Sequence, residues 1–427
     1  MLREVRCRDE KDVYFHYPSR LNLLNPRWGC DQLTLPLYGI RVLAVEQYGA
    51  GPFGTQFLAD QGAEVIKVEN PNDGGDFARN IGPYFFTPEH SEFFHAYNRN
   101  KKSLTLDLSK KEGMAVFHDM VKTADAVATN LRGDVPDKLG LTYATLGNLN
   151  REIVCAHLSA YGRTGPRSNW PGFDYLMQAE TGYFSLTGEP GSPPTRFGLS
   201  VVDQMTGLAL AYAVLAGITG ARASGQGRDM DVSLFDVALC NLGYSAMWFL
   251  NEGHVTGREK RSGHPSLTPC ALYTTVDGWI FIMCNKEKFW PVLCEVLNRD
   301  DWARDSRFEN FKGRLEYRDL IQEMLDEELS KKTTAEWLDI FAGRVPAAPI
   351  NDIQSALENS FVTDEDRLHS LELEGYGTYR AVDAPVKCDE PTPVNPAPGL
   401  GQHTGELLGE LGYDDERLAT LRAAKVI

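Results

Sequence analysis

The sequence predicts an α/β protein, and three observations carry that prediction. Apolar runs of strand length alternate with helical periods through the first half of the chain. Loops rich in Gly and Pro punctuate them. The earliest such unit, a strand over 40–45, a helical stretch reaching Asp60 and a strand over 63–69, reads as βαβ.

The elements follow in order. Residues 1–37 show little periodicity and form an extension. Between the first two strands, Gly49, Gly51 and Gly54 spell GxGxxG, and Glu69 closes the second strand. That spacing satisfies a dinucleotide-binding fingerprint. Pro52 at the helix start has a structural explanation of its own, and no nicotinamide chemistry is visible elsewhere. Alternation continues with a strand over 103–108, an amphipathic helix over 110–121, and strands over Ala126–Thr129 and 153–158. The last strand leads into a loop, Tyr161–Pro166, and a turn that delivers Asp174 at a helix start. A helix over 201–219 is rich in small residues, which suits close packing, and Arg228–Ser233 reads as a strand. Residues 236–250 are apolar on most faces, as in a buried or interface helix. Val276-Asp277-Gly278 signals a hairpin. Helical patterns over 286–345 then suggest a smaller α+β domain. The expected boundaries are an extension (1–37), a large domain (38–224), a linker and small α+β domain (225–365), and a return to the large domain (366–427).

Composition excludes several classes. The 427 residues suffice for two or three domains. A net charge of −16 opposes non-specific nucleic-acid binding and attachment to anionic membranes. No unbroken apolar run approaches the roughly 20 residues of a membrane span. Eight cysteines form no CxxC pair, and the histidines form no HxxxH or HxH pair. These patterns predict a reducing, cytoplasmic setting and no metal site.

Asp174 is the leading chemical candidate. Ligands of open α/β sheets bind beyond the carboxyl ends of strands, and Asp174 and the Asn130–Arg132 loop both follow such ends. A carboxylate there is able to act as a nucleophile. The competing reading is a helix N-cap, a role Asp fills well. The basic cluster around Arg99, Lys101 and Lys102 is either a solvated turn or a charge match for phosphates.

Five segments, in order, resemble the family III CoA-transferases, the formyl-CoA and carnitine CoA-transferase (CaiB/BaiF) group: AGPFGTQFLADQGAEVIKVE, NRNKKSLTLDL, SAYGRTGP with GFDYLMQAETG, GQGRDMDVSLFDVAL, and the tail from HTGELLGELGYDD. The resemblance spans about Leu37 to Ile427. It implies a Rossmann-like large domain built from both termini, a small domain between, and two subunits interlocked like chain links. It implies that Asp174 is the nucleophile and that CoA thioesters are substrates, with no permanently bound cofactor. The GxGxxG loop would then serve CoA, with Gly49 and Ala50 offering N–H groups to oxyanions. Lys67, Arg79, Lys101, Lys102, Asn130, Leu131, Arg132 and Lys138 would contact CoA. Tyr48, Gly263 and His264 would line the acyl site or its lid.

Two departures bear on the substrate. Gly49 stands where formyl-CoA transferase carries Gln, and only Arg261–Pro265 matches its glycine-rich lid. A donor such as succinyl-CoA is therefore expected in place of formyl-CoA, with a carboxylic acid as acceptor. Two alternatives remain: an α-methylacyl-CoA racemase, against which Phe173 counts, and a structural subunit paired with a paralogous partner. The assembly is accordingly a homodimer or such a heteromer.

Overall fold

The computed structural model describes residues 35–365, 367–389 and 394–427. Most of the expected N-terminal extension, and part of the Pro-rich tail segment, lie outside these residues.

Six strands form the central sheet: β1 (Arg41–Val45), β2 (Glu64–Glu69), β3 (Lys102–Thr105), β4 (Ala126–Thr129), β5 (Val154–Ser159) and β6 (Arg228–Ser233). Their spatial order is β3-β2-β1-β4-β5-β6, and every neighbouring pair is parallel. This is the order of doubly wound sheets, in which chain direction across the sheet reverses between β1 and β4. Such sheets are covered on both faces, so their central strands are largely apolar. In β1 the alternation is explicit. Val42 and Ala44 belong to one core and Leu43 and Val45 to the other.

On the first face lie helices α1 (Ala50–Asp60), α2 (Asp174–Glu180) and α3 (Val201–Ser224). Small residues let α1 and α3 touch backbone to backbone. A Cβ on Gly54 would stand 2.1 Å from the Gly207 carbonyl oxygen, and one on Gly207 would stand 2.4 Å from that of Ala50. These positions therefore need Gly for packing, and the GxGxxG spacing has a cause independent of any dinucleotide. α3 is long and apolar enough to cross a membrane by length and composition. Half of its apolar window is nevertheless buried, with Leu210 and Val214 in the core beside the sheet.

The second face is covered by Lys111–Val121 and by the chain's end, whose Leu407, Leu408, Leu418 and Leu421 join Leu43, Ile66 and Phe117. A separate core gathers Tyr273, Ile280, Trp290, Trp302 and Trp337 around a three-stranded antiparallel sheet. Its hairpin, Cys270–Thr275 and Gly278–Met283, turns where the sequence signals it.

The apolar stretch 236–250 differs from its simplest expectation. It is two helices, Leu234–Cys240 and α4 (Gly243–Glu252), broken at Gly243 with φ +53°. No residue of α4 is buried within the chain.

Candidate active site

A cavity of about 340 Å³ opens where the strand order reverses. Gln47, Tyr48, Gly49 and Ala50 follow β1, Asn130–Arg132 follow β4, and Ser159 ends β5 with Ala160 just after it. Trp170, Phe173, Asp203 and Leu234 complete the walls. One side chain ties the two central loops: Asn130 Nδ2 donates to the Gln47 carbonyl at 2.6 Å, and its Oδ1 accepts from Gln47 N at 2.9 Å. The start of α1 faces this space, and first-turn N–H groups have no intrahelical acceptors. The N–H groups there form a natural binding point for negative charge.

Tyr48 sits at φ +69°, a conformation that costs a bulky residue about 1–3 kcal/mol. Its N–H donates to Asp76 Oδ1 at 2.9 Å. The other Asp76 oxygen lies 2.7 Å from the Lys67 ammonium, and both side chains are fully buried. A buried ion pair thus anchors the loop that forms one wall.

Asp174 is the first residue of α2, with Phe173 at the cap position. The N-cap reading does not hold, because the carboxylate bonds elsewhere. Oδ1 accepts from Gln178 Nε2 at 2.6 Å, and Oδ2 accepts from the Asp203 N–H at the start of α3 at 3.0 Å. Only 4% of the residue is exposed. Gly172 permits this placement, since a Cβ there would stand 2.4 Å from that of Ala160. Burial raises the Asp174 pKa above the ordinary carboxylate value, and the bonds from Asp203 N, Gln178 and Val202 N, with the charge of Arg196, oppose the rise. Gln178 also fixes the adjoining loop: its Oε1 accepts from Phe197 N and its Nε2 donates to the Leu199 carbonyl.

Asp203 supplies a second carboxyl. It lines the cavity, and its side chain accepts no hydrogen bond among the described residues. Burial, then the charge of Asp174, raises its pKa to about 7. The charge of one carboxylate thus disfavours ionisation of the other.

The cations expected at CoA divide into two groups. Lys67, Arg79 and Lys101 are interior, not cavity-lining. Lys67 pairs with Asp76, Arg79 with Glu69 at 2.7 Å, and Lys101 with Glu46 at 2.9 Å. Burial pushes the Lys101 pKa down to about 8, against the pull of Glu46. Lys102 pairs with Glu64 at 3.1 Å and with Glu406 of the terminal helix at 2.8 Å, and does not line the cavity. The physical reason is common to all four: acids brought in by the fold neutralise them. Arg132 and Lys138 remain outward, 49% and 67% exposed, and share Asp134 beside the cavity. With Tyr48, Gly49, Ala50, Asn130, Leu131 and Arg132, the cavity contains six of the expected contacts.

Gly263 and His264 do not line it. His264 Nδ1 accepts from Ser266 N and Nε2 meets the Tyr244 hydroxyl at 3.3 Å, beside the smaller core. Sequence reasoning missed Asp203, Gln178, Arg196 and Asp76. Spacing from Asp174 to Gln178, one helical turn, was the sole local signal among them.

Comparisons with known proteins agree with this architecture. The profile of CoA-transferase family III matches residues 37–404. The chain is 34% identical to the succinate–glutarate CoA-transferase of Agrobacterium fabrum over 394 residues, covering 90% of this chain and 98% of the relative. It is 31% identical to the succinyl-CoA–L-malate CoA-transferase beta subunit of Chloroflexus aurantiacus, covering 92% and 98%. A CaiB/BaiF family protein from Brucella suis superposes with a TM-score of 0.74 at 29% identity, covering 88% and 99%. The parallel sheet, the cavity at its reversal and the profile match converge: the chain belongs to CoA-transferase family III, and it is an enzyme of the CoA-transferase type.

Proposed function

We propose that this chain transfers CoA from an acyl-CoA donor, succinyl-CoA in the first instance, to a carboxylic acid through covalent intermediates on Asp174. The observation that carries the reading is the Asp174 carboxylate, held by Gln178 and Asp203 N next to Phe173 and Asp203 of the cavity wall, while the other carboxyl there, Asp203, keeps its proton more readily. Relatives named for succinate, glutarate and malate support the choice of donor.

The chemistry runs in four steps. Asp174 attacks the thioester carbonyl, the C–S bond breaks, and CoA thiolate leaves from an aspartyl–acyl anhydride. The thiolate attacks the aspartyl carbonyl and releases the donor acid, leaving an aspartyl-CoA thioester. The acceptor carboxylate attacks that thioester, forming a second anhydride and freeing thiolate. Thiolate then takes the acyl carbon and returns Asp174. One thioester replaces another, so the protein's task is positioning and exclusion of water. Donors that now hold the carboxylate acquire a second use. When thiolate attacks the aspartyl carbonyl, the Asp203 N–H and Gln178 Nε2 face its oxygen and offset the developing charge. Gly49 and Ala50 N–H groups do the same for the acyl carbonyl. Arg132 and Lys138 hold CoA phosphates at the rim. The reaction needs no permanently bound cofactor.

The large domain in this reading combines 38–224 with 366–427, and 225–365 forms the smaller one. Two chains interlock as a dimer in the cytoplasm. Support for the dimer comes from α4, where Tyr244, Met247, Phe249 and Leu250 are 51–75% exposed. Apolar surface on that scale marks an interaction face. In this arrangement Gly263 and His264 serve the partner's site as a lid. A second reading, a heteromer with a paralogous subunit, draws on the Chloroflexus relative, which is named as a beta subunit.

Asp174→Ala should abolish transfer, and hydroxylamine should trap an acyl-aspartyl species in the unaltered protein. Near-normal turnover by the variant would sink the mechanism. Full activity of the chain expressed alone would exclude the heteromer.

A further inference from the structure

Most cations at this edge of the sheet are already paired, and among them Arg132 alone lines the cavity. Arg132 and Lys138 share Asp134, Arg163 meets Asp231, and Arg167 meets Glu180. Arg196 differs. No carboxylate lies within 4 Å of it among the described residues, although the chain carries 59 acids. Its guanidinium lies 4.3 Å from the centre of the Tyr175 ring, the residue after Asp174. Nη1 donates to the Phe197 and Gly198 carbonyls at 3.1 and 2.9 Å. Nε and Nη2 donate to no group among the described residues.

An exposed arginine is ordinarily a solvated one, with many rotamers. Here the ring and two carbonyls fix the guanidinium plane. The loop itself is fixed too. Phe197 and Leu199 both bond Gln178, and Gln178 bonds Asp174. One amide therefore sets both the reacting carboxylate and the segment that presents Arg196. The charge of Arg196 is felt at Asp174. A guanidinium with two free donors and a fixed plane matches a carboxylate in bidentate fashion. The reacting centre otherwise presents Asp174 and Asp203, which repel a second negative charge on the acyl group.

We propose that Arg196 binds the distal carboxylate of a dicarboxylic acyl group and makes the site selective for dicarboxylic over monocarboxylic acids. This rests on Asp174 as the covalent nucleophile. The donor acid leaves and the acceptor enters on the same carboxyl, so one cation serves both halves of the reaction.

The test is a competition between two acceptors of equal length, glutarate and pentanoate, with a single monocarboxylic acyl-CoA donor. The product ratio reports relative kcat/KM and is independent of how much protein is folded. The unaltered chain should favour glutarate by at least about tenfold, and Arg196→Gln should reduce that ratio about tenfold to a hundredfold. Arg196→Lys should recover part of it, since charge returns without the planar fork. An unaltered chain without preference, or an Arg196→Gln variant that keeps the full ratio, would overturn the proposal while leaving the transferase reading intact. No product from either acid with any donor would instead overturn the transferase reading, and this proposal with it.

Discussion

Replacing Asp203 with Asn removes the second carboxyl of the site and keeps its shape. Its pKa stands at about 7, against an ordinary 3.8. The native state therefore holds this proton when the unfolded chain has released it. With more protons bound folded than unfolded, stability falls as pH rises from about 4 to about 7, then levels off. Each tenfold change in proton affinity is about 1.4 kcal/mol, so the full displacement corresponds to about 4 kcal/mol. Asp203 is partly exposed and its ionisation is coupled to the charge of Asp174, which reduces the expected effect to about 2 kcal/mol. The Asn variant lacks this loss. Its stability relative to the parent should rise by about 2 kcal/mol between pH 4 and pH 8, measured by urea unfolding at each pH. Activity should follow the same group. Above pH 7 both carboxyls carry charge, and an anionic acyl group is repelled, so kcat/KM should fall along an alkaline limb that the Asn variant lacks. An unchanged limb in the variant, together with parallel stability curves, would refute the account of a raised Asp203 pKa.

Gly54→Ala places a Cβ 2.1 Å from the Gly207 carbonyl oxygen; it should cost about 3 kcal/mol and lower Tm by about 5 °C, read by calorimetry. Combined Arg132→Ala and Lys138→Ala should raise KM for acyl-CoA about tenfold with little change in kcat, and the difference should shrink in high salt. Leu250→Glu charges an apolar residue that is 75% exposed on α4, so sedimentation should show loss of the dimer, with activity lost in step.

The architecture was legible because its signals are local. Ala126–Thr129 and Arg228–Ser233 keep their expected bounds, and the other four sheet strands shift by a few residues at most. Apolar runs of strand length and flanking Gly or Pro were sufficient for that. The site was only partly legible. Asp174 and the Asn130–Arg132 loop follow strand ends, and strand ends can be counted. Asp203 lies 29 residues beyond Asp174 in the chain, and nothing in VVDQMTG marks it as an active-site neighbour. The lysines failed for the same reason. Lys67 reads as a strand-end cation until Asp76 is brought to it. Charge partners belong to tertiary structure, and a positive residue in sequence carries no record of whether its charge is spent.

The contact between Gly54 and Gly207 has a consequence for how such an enzyme diversifies. It is a pivot made of main chain, within two turns of both Ala50 and Asp203. The oxyanion wall and the nucleophile's anchor are thus parts of one stiff anvil, indifferent to side-chain drift nearby. The rims at 130–138 and 196–199 lie off that pivot. Apart from Asn130, which ties the two central loops, and Gly133, where a Cβ would stand 2.2 Å from the Gly162 carbonyl oxygen, their side chains can change, and substrates with them, while the reacting atoms stay in register.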